Sequence, residues 1–169
     1  MTRQFALAKL TALVAVFLAA VSIIYSGHAR AAEPSIVITS PQAGTFAMGQ
    51  PIKIKWQAAN IPEGASLVLY AVTADGAPRD LAGGPLTLEP IRMGNGPGSF
   101  AWDGKSVGSD ATDKPMLRKI LPGNYHFVAK VYDRGDVWIF PPRPAWHREN
   151  PKVIAIATSA DFILRDAEK

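Results

Sequence analysis

NYHFVAKVYD, residues 124 to 133, puts Tyr125, Phe127, Ala129 and Val131 on one side of an extended chain and His126, Val128, Lys130 and Tyr132 on the other. Apolar residues at every second position predict a β-strand with one face in a core and the other toward solvent. IKIKWQ, at 52 to 57, repeats the pattern, with Ile52, Ile54 and Trp56 inward and Lys53 and Lys55 outward. SIVIT at 35 to 39 forms a third strand, and SLVLYAVT at 66 to 73 is apolar enough to be buried on both sides. PLTLEPI around 85 to 91 is a weaker strand, GSFAW at 98 to 102 leads into a tight turn at Asp103-Gly104, and KVIAIATS and ADFILRD close the chain.

Between these runs lies turn chemistry. SPQAGTFAMGQP separates the first two strands, and GNGPG at 94 to 98 is expected as a flexible turn. KPMLRKIL, at 114 to 121, is the one place after the N-terminal segment where a turn of helix is expected. Seven or eight short strands with Pro and Gly spread evenly between them predict an all-β chain, a single antiparallel β-sandwich, with a small barrel as the competing closure. No internal repeat and no linker to a second domain is evident.

The chain opens MTRQFALAK, with Arg3 and Lys9 and no acid, followed by a predominantly apolar run of 16 residues from Leu10 to Tyr25 and then SGHARAA. That run is shorter than the roughly 20 residues a spanning helix needs. Ala29 and Ala31 stand in Ala-x-Ala register, so residues 1–31 read as a signal peptide cleaved after Ala31, and 32–169 as the folded domain. The alternative is an uncleaved N-terminal anchor. There is no Cys to carry a lipid, no apolar C-terminal tail, and no Asn-x-Ser/Thr site at Asn60, Asn95, Asn124 or Asn150. These absences suit a bacterial exported protein, periplasmic or secreted.

Removing Arg3, Lys9 and Arg30 from the 18 basic residues leaves 15 against 14 acidic ones, so the mature chain is close to neutral. A nucleic-acid partner requires a basic stripe, and here the densest cluster is Lys114, Arg118 and Lys119. Nucleic acid is therefore not expected as a partner.

Two segments carry a resemblance. ITSPQAGTFAMGQPIKIKWQAANIPEGASLVLY, with Ser40, Pro41, Gly44, Phe46, Gly49 and Trp56, resembles the opening of the immunoglobulin-like domain in the Ser/Thr-rich GPI-anchored membrane family of the yeast Kre/Knh cell-wall type. ATSADFIL is similar to that family's last strand. FAWDGKSVGSDATDKPMLRKILPGNYHFVAKVYD resembles the Trp-Asp-Gly loop and Pro-Gly-x-Tyr strand of immunoglobulin-like modules such as that of the flagellar hook-capping protein. The resemblances imply an immunoglobulin-like sandwich and little about ligand. The residues have their own physical roles: Trp56 and Trp102 as core, Gly104 as a positive-φ turn residue, and Tyr125 as a buried ring whose hydroxyl bonds back to the preceding loop.

Catalytic motifs fail one by one. DGKS at 103 to 106 lacks the Gly five residues before Gly104 that a phosphate loop needs, Ser99 standing there, and GNGPG has Ser99 where a dinucleotide fingerprint needs its third Gly. Beyond residue 31 only His126 and His147 remain, which with no Cys argues against a zinc site. Asp103, Asp110 and Asp113 are irregularly spaced for calcium and read as solvated loop acids. No Gly-x-Ser-x-Gly is present, and no partners for His147 in a triad are evident. No metal and no cofactor is expected. Arg134-Gly135-Asp136 reads as a turn that ends the strand at Asp133.

One segment is left over. DVWIFPPRPAWHREN, 136 to 150, sits inside an aromatic and Pro-rich insertion at 133–152 where a sandwich would have a short hairpin. Each exposed Trp or Phe forgoes about 1.5–3 kcal/mol of burial, against about 5–15 kcal/mol for a whole domain. The rings therefore either fold back on the sandwich as a lid, form a protein-binding surface, or stack on a sugar or other ligand. Trp138, Phe140, Trp146, His147 and Arg148 are the candidate ligand or partner contacts. The expected function is a non-enzymatic binding or assembly module of the periplasm or envelope, its partner an envelope protein or polysaccharide. The alternatives are a small envelope hydrolase centred on His147, and a structural subunit held to the membrane by an uncleaved N-terminal helix.

Overall fold

The alternation in residues 124 to 133 is realised as the longest strand among the described residues. The computed structural model describes residues 32–74, 83–109, 116–135 and 151–167. These carry β1 (Ser35–Ser40), β2 (Gly44–Ala47), β3 (Ile52–Ala59), β4 (Ser66–Thr73), β5 (Gly83–Pro85) and β6 (Ile91–Arg92). They continue with β7 (Gly96–Trp102), β8 (Ser106–Ser109), β9 (Met116–Lys119), β10 (Gly123–Tyr132), β11 (Val153–Thr158) and β12 (Phe162–Arg165). The chain is all-β: no helix occurs among the described residues.

One sheet has the order β1-β3-β7, both pairs antiparallel, with Trp56 facing Ile38 on one side and Gly98 on the other. A larger sheet has the order β2-β12-β10-β4-β5, with β11 beside β10 and β6 beside β4. β11 and β12 share one flank of β10, reading as one strand interrupted at Ser159–Asp161. The interruption is bridged, because Ser159 donates its N–H to the Phe127 carbonyl while its Oγ accepts the Phe127 N–H.

The two sheets share one core. Ile36, Ile52, Ile54, Trp56, Ala58 and Trp102 come from the three-stranded sheet, and Leu67, Leu69, Ala71, Tyr125, Phe127, Ala129, Val131, Phe162 and Leu164 from the larger one. At its centre Phe127 stacks on Phe162 with centroids 4.5 Å apart, and the Trp102 ring meets Phe127 edge-on at 5.7 Å, joining the sheets. Each such pair adds about 0.5–1.5 kcal/mol beyond area burial.

The turn into β8 is built as its residues require. Trp102 is buried and donates Nε1–H to the Ser106 carbonyl at 2.6 Å, while Asp103 Oδ1 accepts the N–H groups of Lys105 and Ser106, each at 2.9 Å. Gly104 has φ +68°, and a Cβ there would lie 2.5 Å from the Gln50 carbonyl oxygen, so conformation and space both demand glycine. Tyr125 buries its ring and donates its hydroxyl to the Leu121 carbonyl at 2.8 Å.

Several local expectations are corrected. Gly96, Pro97 and Gly98 are not a flexible turn but the first half of β7, opposite Ala58, Gln57 and Trp56. Pro97 is tolerated because β7 is an edge strand. Met116–Lys119 is a strand rather than a turn of helix, since β8 supplies it with an antiparallel ladder. Within SPQAGTFAMGQP the residues Gly44–Ala47 form β2, parallel to β12, and Phe46 meets Phe162 edge-on at 5.7 Å. The pairing is therefore not antiparallel throughout. PLTLEPI holds no continuous strand: Gly83–Pro85 and Ile91–Arg92 pair with β4, Leu86 adds one N–H bond to the Leu69 carbonyl, and Thr87–Pro90 form no strand.

Candidate functional site

All five residues singled out in the sequence, Trp138, Phe140, Trp146, His147 and Arg148, lie outside the described residues, as do Asp110 and Asp113. What is described is the root of their segment. Asp133 follows β10 directly, and Lys152 precedes β11. The Asp133 N–H donates to the Lys152 carbonyl at 3.0 Å, and the Lys152 N–H donates to Asp133 Oδ1 at 3.0 Å. The same carboxylate lies 3.6 Å from Arg134 Nε, and the buried Ser66 donates Oγ–H to the Arg134 carbonyl at 2.7 Å. The two ends of the insertion are thus clamped to each other and to β4. A backbone amide paired with a carboxylate forms a stronger bond than a neutral pair.

Beside this root lies the outer face of the larger sheet. Ser66, Val68, Tyr70 and Val72 of β4 point away from the core, opposite Tyr132, Lys130, Val128 and His126 of β10. Val68 is 0 % exposed although it is not part of the central core, so this face has an apolar focus of its own. Lys130 Nζ sits 5.1 Å from the Tyr70 ring centroid, a cation–π contact. Burial first, then the neighbouring Tyr132 hydroxyl, which is hydrogen-bonded to Tyr70, push the Tyr70 phenol far above its usual range. Tyr70 therefore keeps its proton at any physiological pH.

The neighbourhood of His126 bears on catalysis. His126 Nδ1 lies 3.5 Å from Asp161 Oδ1, and Ser159 is close by in sequence. Ser159 Oγ, however, accepts the Phe127 N–H at 2.9 Å and donates to the Ala160 carbonyl at 2.8 Å. Its proton and its lone pair hold the strand junction together, so it is not poised as a nucleophile. Asp103 is similarly committed. Burial alone would raise its carboxyl, but hydrogen bonds from Lys105 and Ser106 and the Lys105 ammonium outweigh burial and hold it below the usual carboxylate range. Among the described residues no three His, Cys, Asp or Glu side chains converge as a metal site.

Sequence reasoning missed the Asp133–Lys152 clamp and the Tyr70–Tyr132–Lys130 cluster. The signal for the cluster was half present: Lys130 and Tyr132 stand on one face of a strand by alternation, but Tyr70 joins them only through the register of β4.

No protein-family model matches the chain, and no curated protein matches it. Its functional reading comes from its own residues and geometry. The root of the aromatic insertion and the half-buried Tyr face meet at the end of β10, where Ser66, Tyr132, Asp133 and Arg134 are neighbours.

Proposed function

We propose that this chain is an exported, non-enzymatic immunoglobulin-like module that acts in the bacterial periplasm or envelope as a binding or assembly component. The sandwich reading is supported by the split of the first strand: β1 joins β3 antiparallel in one sheet, while β2, a few residues on, joins β12 parallel in the other. It is supported also by Tyr125, placed near the start of β10 with its hydroxyl on the Leu121 carbonyl, as in a tyrosine corner. The likeness to the Kre/Knh-type and hook-capping immunoglobulin-like domains belongs to the same proposal, with Trp56, Trp102 and Tyr125 in core roles.

The observation that carries the function is the clamp at the root of the aromatic insertion. The root of a segment rich in Trp and Pro is tied to paired strands by Asp133 and Lys152, and connections rooted on such a scaffold commonly present binding residues. The Ser159 hydroxyl, beside the His126–Asp161 pair, is committed to internal hydrogen bonds with Phe127 and Ala160.

The test is cross-linking in intact envelopes with the native protein and a Trp138→Ala/Trp146→Ala variant. A discrete partner captured by the native protein and lost in the variant supports the reading, whereas identical products from both remove the insertion from the binding account. Hydrolysis of an envelope polymer or ester by the purified protein, abolished in His147→Ala without loss of thermal stability, would establish the hydrolase instead.

A further inference from the structure

We infer that the outer face of the β1-β3-β7 sheet is a docking surface for an acidic polysaccharide, a linear glycan bearing carboxylates. The inference rests on the reading of the chain as an exported binding module and names a ligand class for a surface remote in sequence from the aromatic insertion.

Strand alternation gives this sheet a wholly solvent-facing side. Val37 and Thr39 of β1, Lys53, Lys55 and Gln57 of β3, and Pro97, Ser99 and Ala101 of β7 are all exposed. A shallow trough of about 410 Å³ runs across it, lined by Thr39, Lys53, Lys55, Gln57 and Ser99, with Pro97 as its apolar side chain. Lys53 and Lys55 are two residues apart on one strand, so their Cα atoms stand about 7 Å apart. Lys55 is opposite Ser99 in the ladder, and Lys53 opposite Ala101.

The chemistry of the trough is one-sided. It offers two ammonium groups, two hydroxyls and a carboxamide, and none of these side chains has a partner among the described residues. No acid stands at any outward position of the three strands. Two adjacent cations with no counter-charge among the described residues repel each other, and an anionic ligand relieves that repulsion while pairing both. Hydroxyl and amide groups beside the lysines suit the hydroxyls of a sugar, and Pro97 suits a ring face. An anionic membrane is a poorer match, because Val37 is the one large apolar side chain exposed on this face and a lipid interface calls for more. Two cations are too few for a nucleic-acid track.

Binding of the purified exported protein to polygalacturonate, with dextran as the uncharged control and phosphatidylglycerol vesicles as the lipid control, tests this. Affinity electrophoresis should show retardation by polygalacturonate alone, weakened about tenfold in Lys53→Gln/Lys55→Gln and restored toward native in Lys53→Arg/Lys55→Arg. Lys105→Gln/Lys119→Gln, which removes equal charge elsewhere, should stay within about twofold of native. The inference is overturned if native protein does not bind polygalacturonate, if both Gln pairs weaken it equally, or if vesicles are bound in its place. Circular dichroism confirms that the exposed substitutions leave the fold intact. Failure here with partner capture through Trp138 and Trp146 retained sinks the trough and keeps the binding module; failure of both sinks the module.

Discussion

The indole of Trp56 lies directly over Gly98, its register partner on the neighbouring strand, so closely that a Cβ at Gly98 would fall 2.3 Å from Trp56 Cε2. The glycine thus gives the ring its place in the core. Gly98→Ala should cost about 1–3 kcal/mol, because the large ring is sealed between two sheets and has nowhere to move. In a Trp56→Ala background the same change should cost little, and urea titrations of all four chains would read the coupling. Equal costs in both backgrounds would refute the contact.

Tyr125→Phe removes the hydroxyl bonded to the Leu121 carbonyl and leaves the ring, so a loss of about 0.5–1.5 kcal/mol is expected by chemical denaturation. Burial raises the Tyr125 phenol above its ordinary value, with the Arg118 cation opposing, and Tyr70 is raised further. A raised value stabilises the fold below the unfolded value of about 10 and is lost as pH climbs through the folded one. Ultraviolet titration should therefore show Tyr70 and Tyr125 ionising only with alkaline unfolding.

Asp103 has the opposite sign. Its lowered carboxyl contributes stability above the unfolded value of about 3.9, and that contribution is lost as pH falls through the folded value. Asp103→Asn keeps an oxygen for the Lys105 and Ser106 amides but lacks the charge. The melting temperature of the native protein should exceed that of the variant near neutrality, the gap closing below about pH 4. A gap that is constant with pH would show that charge plays no part.

Asp133→Ala opens the clamp at the root of the insertion. Exchange of the Lys152 amide should accelerate about tenfold, with global stability lowered by about 1 kcal/mol. Unchanged protection at Lys152 would mean that the clamp does not hold this root in solution.

Cleavage after Ala31 predicts an exported protein whose first residue is Ala32, and intact-mass measurement checks it directly. A mass that includes residues 1 to 31 would instead support the tethered form.

The strands legible in the sequence were those whose two faces differ in polarity. Ile52, Ile54 and Trp56 against Lys53 and Lys55 gave β3, Tyr125 to Val131 gave β10, and Trp102, Gly104 and Tyr125 announced their roles through chemistry that fits few other places. The strands that were missed owe their existence to partners. Gly44–Ala47 and Met116–Lys119 carry no pattern of their own and become strands because β12 and β8 offer free hydrogen-bonding edges. Gly96–Gly98 has turn composition, yet Trp56 needs the missing Cβ and β3 supplies the ladder.

The same division governs the surfaces. By itself the sequence determined an all-β chain, the inward and outward sides of its main strands, and the aromatic insertion between the last two of them, because period-two polarity and turn chemistry are local properties. Only the tertiary structure decided that β1 and β2 enter different sheets, that Tyr70 meets Tyr132 and Lys130, that Asp133 closes on Lys152, and that Lys53 and Lys55 share a trough with Thr39 and Ser99. Each of those joins residues distant in the chain, and which strand edges pair, in which register, is settled by burial of the shared core rather than by any one segment.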